Sequence, residues 1–414
     1  MGQLLMRTTS IRLALGAAVL LTSSAAHAGS WELDLDIRAV TSDAAASVLD
    51  GGYAPTRFGE GRSGLQLGRL RLALDTPLGE VWKLHLDASA WGSDTYRNPI
   101  GLTEAYLQFR PYPRHDLRLR VKAGAFYAPL SLENRAGGWA SPYTLSYSAL
   151  NSWIAEELRT IGAEARVDWL GTRRGLPFDI DAVGGVFGWN EVAGGALANG
   201  GFILDDRQTP VFDRVGRLQS ASGGYVEPFR EIDGRAGYYG GAELHFPGRI
   251  LLTALHYDNR ADPTASDTVS QVFAWHTTFN SAGGRVEYGP DWTMIAQWLA
   301  GRTEIAPRGE ALQWPFNARY VLLSRGFGGH NRLSARYDRF AVDSRNPETD
   351  GEQNGHAWTV AYVFDSERSW TATLEWLRVT SRSYDESEDV GRPGPVTDTQ
   401  IQLAFRYALG SAGY

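Results

Sequence analysis

The chain of 414 residues contains no cysteine. That absence excludes disulfide scaffolds, thiolate metal sites and cysteine nucleophiles. Basic residues are outnumbered, with 40 Lys and Arg against 47 Asp and Glu, and the formal net charge is −7. An acidic chain of this kind is not expected to bind nucleic acid. Methionine is scarce at 3 residues, whereas 47 glycines and 12% aromatic residues favour a β-rich architecture.

Residues 1–28 are predicted to be a cleaved signal peptide. Arginines precede the apolar run from Leu13 to Leu21, and small residues then lead to Ala26-His27-Ala28, an A-x-A-like cleavage site. The run is shorter than the ~20 apolar residues of a membrane-spanning helix. We therefore expect export and a mature chain that starts at Gly29. No later apolar run is long enough to cross a membrane as a helix.

Apolar and polar residues alternate along the whole of the remaining chain. In the first segment Trp31, Leu33 and Leu35 alternate with Glu32 and Asp34, which is the pattern of a strand with one apolar and one polar face. Alternation is most blurred in the segments that begin at 178, 272 and 316. The predicted strands number about sixteen and span residues 31–40, 64–75, 81–91, 102–110, 117–126, 160–170, 178–189, 236–246, 250–260, 272–288, 292–302, 316–326, 332–342, 356–364, 370–380 and 399–409.

The connections between these segments are alternately short and long. Short ones contain the residues of tight turns, as at Pro247-Gly248. The long ones span residues 41–63, 127–159, 190–235 and 381–398. We predict one all-β domain over 29–414, a transmembrane antiparallel β-barrel of about 16 strands with short periplasmic turns and long extracellular loops. A soluble sandwich or propeller is the alternative, and it does not account for the alternating connection lengths.

Four stretches resemble one family of Gram-negative outer-membrane porins, the phosphate-selective porin O and P family. They are EAYLQFRPYPRHDLRLRVKAGAFYAPLSLENRAG at 104–137, LHYDNRADPTA at 255–265, WTMIAQWLAGRT at 292–303 and NGHAWTVAYVF at 354–364. The resemblance implies a trimeric, water-filled channel for passive diffusion of small hydrophilic solutes, surrounded by outer-membrane lipid and without a cofactor. The phosphate-selective members of this family carry dense Arg and Lys in the lumen. In this chain Lys83 and Lys122 are the only lysines. We therefore expect a weak to moderate preference for anions such as phosphate-like oxyanions.

Basic residues of the second to fifth strands are predicted to line the pore and set its selectivity. Adjacent strands lie ~5 Å apart, so these side chains would form one patch, and walls of Arg and Lys select anions. Acids such as Asp205 and Asp206 fall in predicted outer loops, where they are expected to face bulk salt and to be screened over ~8 Å. The predicted pore-lining set is Arg69, Arg71, Lys83, His85, Arg110, Arg118, Arg120 and Lys122.

The outer loop 127–159 is the candidate constriction loop. It is long and aromatic, and the family resemblance implies that it folds inward and narrows the pore. Its acids Glu133, Glu156 and Glu157 would then face the basic wall across the constriction. The alternatives are that this loop caps the mouth of the barrel or packs on a neighbouring subunit.

No catalytic centre or metal site is predicted. His256 and Asp258 lie two residues apart and are interpreted as part of a lumen hydrogen-bond network, because no activated serine accompanies them. The loop 343–355 is rich in oxygen ligands but departs from the EF-hand spacing, so a solvated loop is favoured over a calcium site. An outer-membrane barrel enzyme, such as a lipid hydrolase, and a loop-presenting adhesin or receptor are the alternative functions.

Overall fold

The computed structural model describes residues 29–92, 97–215, 225–270, 272–345, 352–366, 369–383, 391 and 394–411. The predicted signal peptide and the centre of the loop 343–355 lie outside the described residues. No helix in the described part of the chain is both long enough and apolar enough to cross a membrane.

Sixteen antiparallel strands form one closed barrel in which each strand pairs with its sequence neighbours and β1 pairs with β16. This confirms the predicted fold. The strands are β1 (Ser30–Ser42), β2 (Gly64–Pro77), β3 (Trp82–Ala90), β4 (Ile100–Phe109), β5 (Leu117–Phe126), β6 (Thr160–Trp169), β7 (Asp179–Gly188), β8 (Gly237–Phe246), β9 (Ile250–Asp258), β10 (His276–Tyr288), β11 (Trp292–Ile305), β12 (Leu312–Phe327), β13 (Asn331–Val342), β14 (Gln353–Asp365), β15 (Trp370–Ser383) and β16 (Val396–Ser411).

The outer surface of the barrel is apolar. Alternate residues along the strands expose large hydrophobic side chains, among them Leu119, Val167, Leu323, Leu374 and Leu403. Closure pairs every strand with two neighbours, which satisfies the backbone in hydrocarbon. A closed barrel with an apolar exterior is the architecture of proteins that span the Gram-negative outer membrane, and this chain is therefore a protein of that membrane.

Tight turns join the strands at the end of the barrel that carries the start of β1. Gly248 and Gly289 have φ of 66° and 60°, a left-handed backbone that residues with a Cβ adopt only with strain. An aromatic cluster lies near this end, where the rings of Phe364 and Phe405 pack on Trp370 with centroids 5.4 and 5.5 Å apart. These rings lie at the level where membrane barrels have their interfacial girdle of aromatic residues.

The loop-end half of the barrel interior contains an apolar core. Inward-facing side chains from β7 to β15 form it together with the two long loops 127–159 and 190–235. The blurred segments that begin at 178, 272 and 316 correspond to β7, β10 and β12. Their alternation is weak because the inner face of each strand also carries large apolar residues, such as Phe187, Phe279 and Phe316.

Candidate pore and its lining

The loop 127–159 crosses the barrel interior and packs on the opposite wall. Its helix α1 (Ala149–Glu157) starts at Ser148, whose side chain accepts a hydrogen bond from the Asn151 amide. Trp153 of α1 is 2% exposed. Its ring lies against those of Phe279 and Phe316, with centroids 5.4 and 5.0 Å apart. The helix is therefore held inside the barrel by aromatic packing against β10 and β12.

Charged contacts fix the same loop to β13 and β15. Glu133 Oε1 lies 2.5 Å from Arg336 Nη1 on β13, and both side chains are wholly buried. Arg336 also pairs with Asp338 at 2.8 Å. On β15, Glu375 accepts hydrogen bonds from the backbone amides of Leu145 and Ser146. A buried charge is costly unless it is paired, and each of these charges has a partner supplied by the loop or the wall.

The loop 190–235 also enters the barrel, through the short helix α2 (Gly195–Gly200) and the segment that follows it. Gln353 of β14 accepts a hydrogen bond from the Phe202 amide and donates one to the Phe202 carbonyl. Asp206 pairs with Arg38 at 2.5 Å and with Arg57 at 2.7 Å. This loop is a second filling element of the lumen.

The expectation that Asp205 and Asp206 face bulk salt is therefore wrong. They are 1% and 6% exposed. Burial opposes ionisation of Asp206, but Arg38 and Arg57 outweigh it and hold the pKa of that carboxyl below its ordinary value. Burial raises the pKa of Asp205, and the charge of Glu156 raises it further. Nothing in the local sequence distinguishes a buried aspartate of this loop from an exposed one.

The side chains of the three predicted constriction acids contact other groups of the protein. Glu133 pairs with Arg336, and Glu156 pairs with Arg97. Glu157 accepts a hydrogen bond of 2.7 Å from the Gly194 amide, which ties the two long loops together. Burial raises the pKa of Glu157 to about 8. All three side chains are buried, and the partners Arg336, Arg97 and Gly194 all lie outside the predicted basic set.

Arg118, Arg120 and Lys122 lie side by side on the inner face of β5. Their partners are acids in register on β6: Asp168 lies 2.7 Å from Arg120 and 3.6 Å from Arg118, and Glu164 lies 3.3 Å from Lys122. The run of like charges thus has a structural role that the sequence pattern of β5 alone did not show.

The ion-pair network continues across β7 and β8. Arg166 of β6 lies 2.5 Å from Asp181 and also pairs with Glu243. Arg135 of the loop 127–159 reaches Glu243 at 2.9 Å, and His245 lies 3.0 Å from Asp181. Sequence reasoning missed these residues. The signal was present as charged residues at alternate positions of the segments 160–170 and 236–246.

The remaining predicted basic residues form a second group around β2 and β3. Arg71 is buried against Glu32, Asp34 and Asp87, at 2.7, 2.7 and 2.6 Å. Arg69 donates to the Gly138 carbonyl of the loop 127–159. Asp75 pairs with Lys83 at 3.0 Å and with His85 at 2.7 Å, and Arg110 is exposed in the turn that follows β4. The eight residues predicted as one patch are divided between this group and the β5 row.

A polar cavity of about 700 Å³ lies between the loop 127–159 and the strands β1 to β4. Glu32, Arg71, His85 and Tyr106 line it from the wall, and Asn134 lines it from the loop. Both polar atoms of the Asn134 side chain are buried without a hydrogen-bond partner among the described residues. Unpaired amide groups beside a polar cavity are satisfied by water or by a hydrophilic solute.

Two groups of side chains have donor atoms close enough to share a metal ion in the described part of the chain. Asp181, Glu243 and His245 form the first, but Arg166 already supplies positive charge to both of its carboxylates. The second is Glu191 with Glu231 and Asp233 in the loop 190–235. Burial raises the pKa of Glu191 to about 8, and hydrogen bonds with the neighbouring carboxyls Glu231 and Asp233 add to the rise.

The assignment of His256 and Asp258 to a lumen network is wrong. Their strand neighbours Leu255 and Tyr257 belong to the inner core, and successive side chains of a strand point to opposite faces. His256 therefore faces outward, where its Nδ1 lies 3.0 Å from the Asn280 side-chain oxygen of β10.

The closed sixteen-stranded wall, its apolar exterior and its charged lumen define an outer-membrane barrel of the porin type. Solved structures that match this fold include outer-membrane proteins. The outer membrane channel DcaP of Acinetobacter baumannii matches with a TM-score of 0.53 at 12% identity, over 92% of this chain and 96% of its own. OmpF of Salmonella typhi, in complex with daunomycin, has a TM-score of 0.52 at 10% identity, over 92% of this chain and 97% of its own.

A loop L8 deletion mutant of OmpT, an outer membrane protein of Vibrio cholerae, matches with a TM-score of 0.52 at 11% identity, over 92% of this chain and 100% of its own. Likenesses at such low identity establish the fold alone. No family model and no curated protein matches the chain. The porin-type architecture is confirmed, and membership of the phosphate-selective porin O and P family stays a prediction.

Proposed function

We propose that this chain forms a water-filled channel for passive diffusion of small hydrophilic solutes across the outer membrane, with a weak to moderate preference for anions. The closed barrel supports a pore, because a barrel of about 16 strands encloses an aqueous channel unless something fills it. The two inward loops fill part of the lumen. The polar cavity of about 700 Å³ beside β1 to β4 and the charged wall of β5 to β8 supply the hydrophilic surface of the remaining path.

The layering of charge on β5 to β8 carries the proposed anion preference. Arg120 is 29% exposed at its side chain, whereas its partner Asp168 is 3% exposed. The same order holds for Arg135 at 33% over Glu243 at 4%. The cations therefore lie between the pore water and the carboxylates that hold them. An ion in the pore approaches the guanidinium groups more closely than the acids, and low-dielectric walls strengthen that local field.

The neighbouring wall around β1 to β3 moderates this preference. There Glu32 and Asp34 are 48% and 24% exposed at their side chains, whereas their partner Arg71 is 3% exposed. Asp75 is also open to the lumen. An anion passing the β5 row therefore meets exposed carboxylates on the wall beside it. This arrangement supports a weak to moderate selectivity.

Oxyanions fit the exposed donors better than spherical anions do. Arg120 bonds Asp168 through Nη2 while its side chain stays 29% exposed, and Arg binds phosphate-like and carboxylate oxygens with two parallel hydrogen bonds. The solute class proposed is therefore small hydrophilic molecules that carry phosphate-like or carboxylate oxygens. A homotrimer is proposed on the family resemblance alone.

Conductance of the purified, folded protein in planar bilayers tests the channel and its selectivity together. We expect ohmic single-channel steps and a reversal potential of anion-selective sign in a KCl gradient. Replacement of Arg118, Arg120 and Lys122 by Gln should move that potential towards cation selectivity. The outward-facing Arg325→Gln variant is the matched control. Absence of ohmic steps would contradict the channel, whereas an unchanged reversal potential in the triple variant would contradict only the assignment of selectivity to β5.

A further inference from the structure

Three arginines face the membrane at the loop end of the wall formed by β12 to β15. They are Arg319, Arg339 and Arg378, and all three are exposed. Their strand neighbours establish the orientation: Ala318 and Tyr320 are buried inside the barrel beside Arg319, as Leu377 and Val379 are beside Arg378. Because side chains alternate along a strand, the arginines point outward. We call these three residues the arginine patch.

The arginine patch has no acidic partner in the part of the chain that the structure describes. None of its members takes part in an ion pair among the described residues, and the carboxylates of the same strands, Asp338 and Glu375, point inward. Arg319 and Arg339 are directly opposite each other on paired strands. Like charges in that position destabilise a sheet, and an arginine on the lipid face adds a further cost. An external anion would offset both costs.

Aromatic residues place the patch at a membrane interface. Trp298 is opposite Arg319, and Trp358 is opposite Arg378. The ring of Trp358 packs on that of Tyr337 with centroids 4.7 Å apart. Aromatic belts mark the depth of the lipid headgroups. The girdle around Trp370 lies at the turn end of the same wall, so the arginine patch is at the opposite, outer-leaflet level.

A groove beside the patch provides room for an acyl chain. It has a volume of about 610 Å³ and runs over the outer face of β10 to β13. Ala282, Gly284 and Ala296 form its floor, since small side chains leave the sheet surface low between Trp298 and Tyr337. Arg319 also lines the groove. An apolar channel with a guanidinium at its rim matches a molecule with a hydrocarbon tail and an anionic head.

We propose that the arginine patch and this groove bind a lipopolysaccharide molecule of the outer leaflet, with its lipid A phosphate on Arg319 and Arg339 and one acyl chain in the groove. Guanidinium groups bind phosphate bidentately and keep their charge in a weakly polar surrounding. Arg378 lies two strands further, on β15 beyond β14, and extends the cationic surface for the same headgroup. The site is separate from the pore, because its residues face away from the lumen.

Charge complementarity favours lipid over a second copy of this chain as the occupant. A copy would have to present acids to the patch from its own outer surface. On the described strands the outward-facing acids are Asp258 and Glu304, and both are held by His276, at 3.1 and 3.0 Å. Phosphate groups of the outer leaflet surround the barrel at high local concentration and require no such partner.

Native mass spectrometry of the detergent-extracted protein tests the proposal with purified lipopolysaccharide as the added ligand. We expect wild-type protein to retain lipopolysaccharide and the R319Q/R339Q variant to retain at least tenfold less. Arg325→Gln, on the outer face of the same β12 at the turn end, is the matched control and should retain it fully. Heat-modifiable migration confirms that each variant is folded, and single-channel conductance should be the same in all of them.

Competing ligands distinguish the sources of phosphate. Dephosphorylated lipopolysaccharide and inorganic phosphate at equal concentration should fail to displace the bound lipid. Equal retention by R319Q/R339Q and wild type would overturn the proposal. Displacement by phosphatidylglycerol as readily as by lipopolysaccharide would also overturn it, because that result identifies a general anionic-lipid surface. Loss of the oligomer with lipid binding intact would overturn it as well, because that result identifies a subunit interface. None of these outcomes bears on the channel, which conductance tests separately.

Discussion

Glu133 of the loop 127–159 and Arg336 of β13 form an ion pair of 2.5 Å in which neither side chain is exposed to solvent. The pair joins a loop that leaves the barrel wall after β5 to a strand on the far side of the lumen. Arg336 also donates to the backbone carbonyls of Ser146 and Tyr147. One guanidinium thus holds three points of the loop, and the position of the loop inside the barrel depends on it.

Loss of this guanidinium should release the loop 127–159 from the wall. Arg336→Met leaves Glu133 and Asp338 buried without their cation, and removal of one partner from a buried pair costs about 3–5 kcal/mol. We expect larger and noisier single-channel conductance in planar bilayers. Glu133→Gln should have a smaller effect, because Arg336 keeps Asp338 at 2.8 Å.

The exposed loop residue Glu60 provides a control, and Glu60→Gln should leave conductance unchanged. Conductance of Arg336→Met equal to that of the wild type would contradict the anchoring role of the pair.

Aromatic packing should contribute a comparable amount. Trp153→Ala removes the ring that contacts Phe202, Phe279 and Phe316 from the buried face of α1, and such truncations cost about 3–5 kcal/mol. We expect a lower denaturation midpoint and a less stable conductance level. Trp292→Ala, on the outer face at the turn end, is the control that removes a tryptophan from outside the inner core. A Trp153→Ala midpoint unchanged from wild type would show that α1 does not stabilise the barrel interior.

The barrel was predictable from sequence because its signal is local. Alternation of apolar and polar residues, as from Trp31 to Leu35, indicates the inner and outer face of each strand, because lipid on one side imposes that pattern on every strand. Glycines such as Gly248 indicate the turns. All sixteen predicted segments correspond to strands of the structure.

The interior arrangement was not predictable, because it depends on contacts between distant parts of the chain. Asp206 pairs with Arg38, which is 168 residues away in sequence, and Arg336 pairs with Glu133, which is 203 residues away. The strongest local hint was the blurred alternation of β7, β10 and β12, which reflects an apolar inner face rather than weak strands. The β5 row was identified from its sequence, but its partner Asp168 required the register of β5 on β6.

The stability of the loop assembly should fall as pH rises through the neutral range. Burial raises the pKa of Glu157 from its ordinary 4.5 to about 8, so the unfolded chain releases this proton at lower pH than the folded chain does. Between these two values the folded form binds the extra proton, and its free energy of unfolding decreases by at most about 1.4 kcal/mol per pH unit. Below and above that window Glu157 adds no pH dependence.

Glu157→Gln removes the titration while keeping an oxygen that accepts from the Gly194 amide. The difference between wild-type and variant denaturation midpoints, followed by tryptophan fluorescence from pH 4.5 to 8.5, should change steadily in favour of the variant as pH rises. Subtraction cancels the other titrating groups. A difference that is flat across this range would show that Glu157 is ionised in the folded protein at neutral pH.

Neutralising one buried acid beneath the β5 row should strengthen anion selectivity. Asp168 lies within 3.6 Å of both Arg118 and Arg120, so Asp168→Asn removes a negative charge from the wall and leaves the exposed guanidinium groups in place. One unit charge at ~10 Å in water changes the energies of a monovalent anion and a monovalent cation by about 0.4 kcal/mol each, in opposite directions, which corresponds to about a fourfold rise in the anion-to-cation permeability ratio. The reversal potential in a KCl gradient measures this ratio.

Asp179→Asn, at the turn end of the neighbouring β7 and bonded to Thr172, is the matched control and should change the ratio less. A shift towards cations in Asp168→Asn would mean that the acid mainly positions the arginines, and that their orientation towards the pore, rather than the net charge of the wall, sets the selectivity.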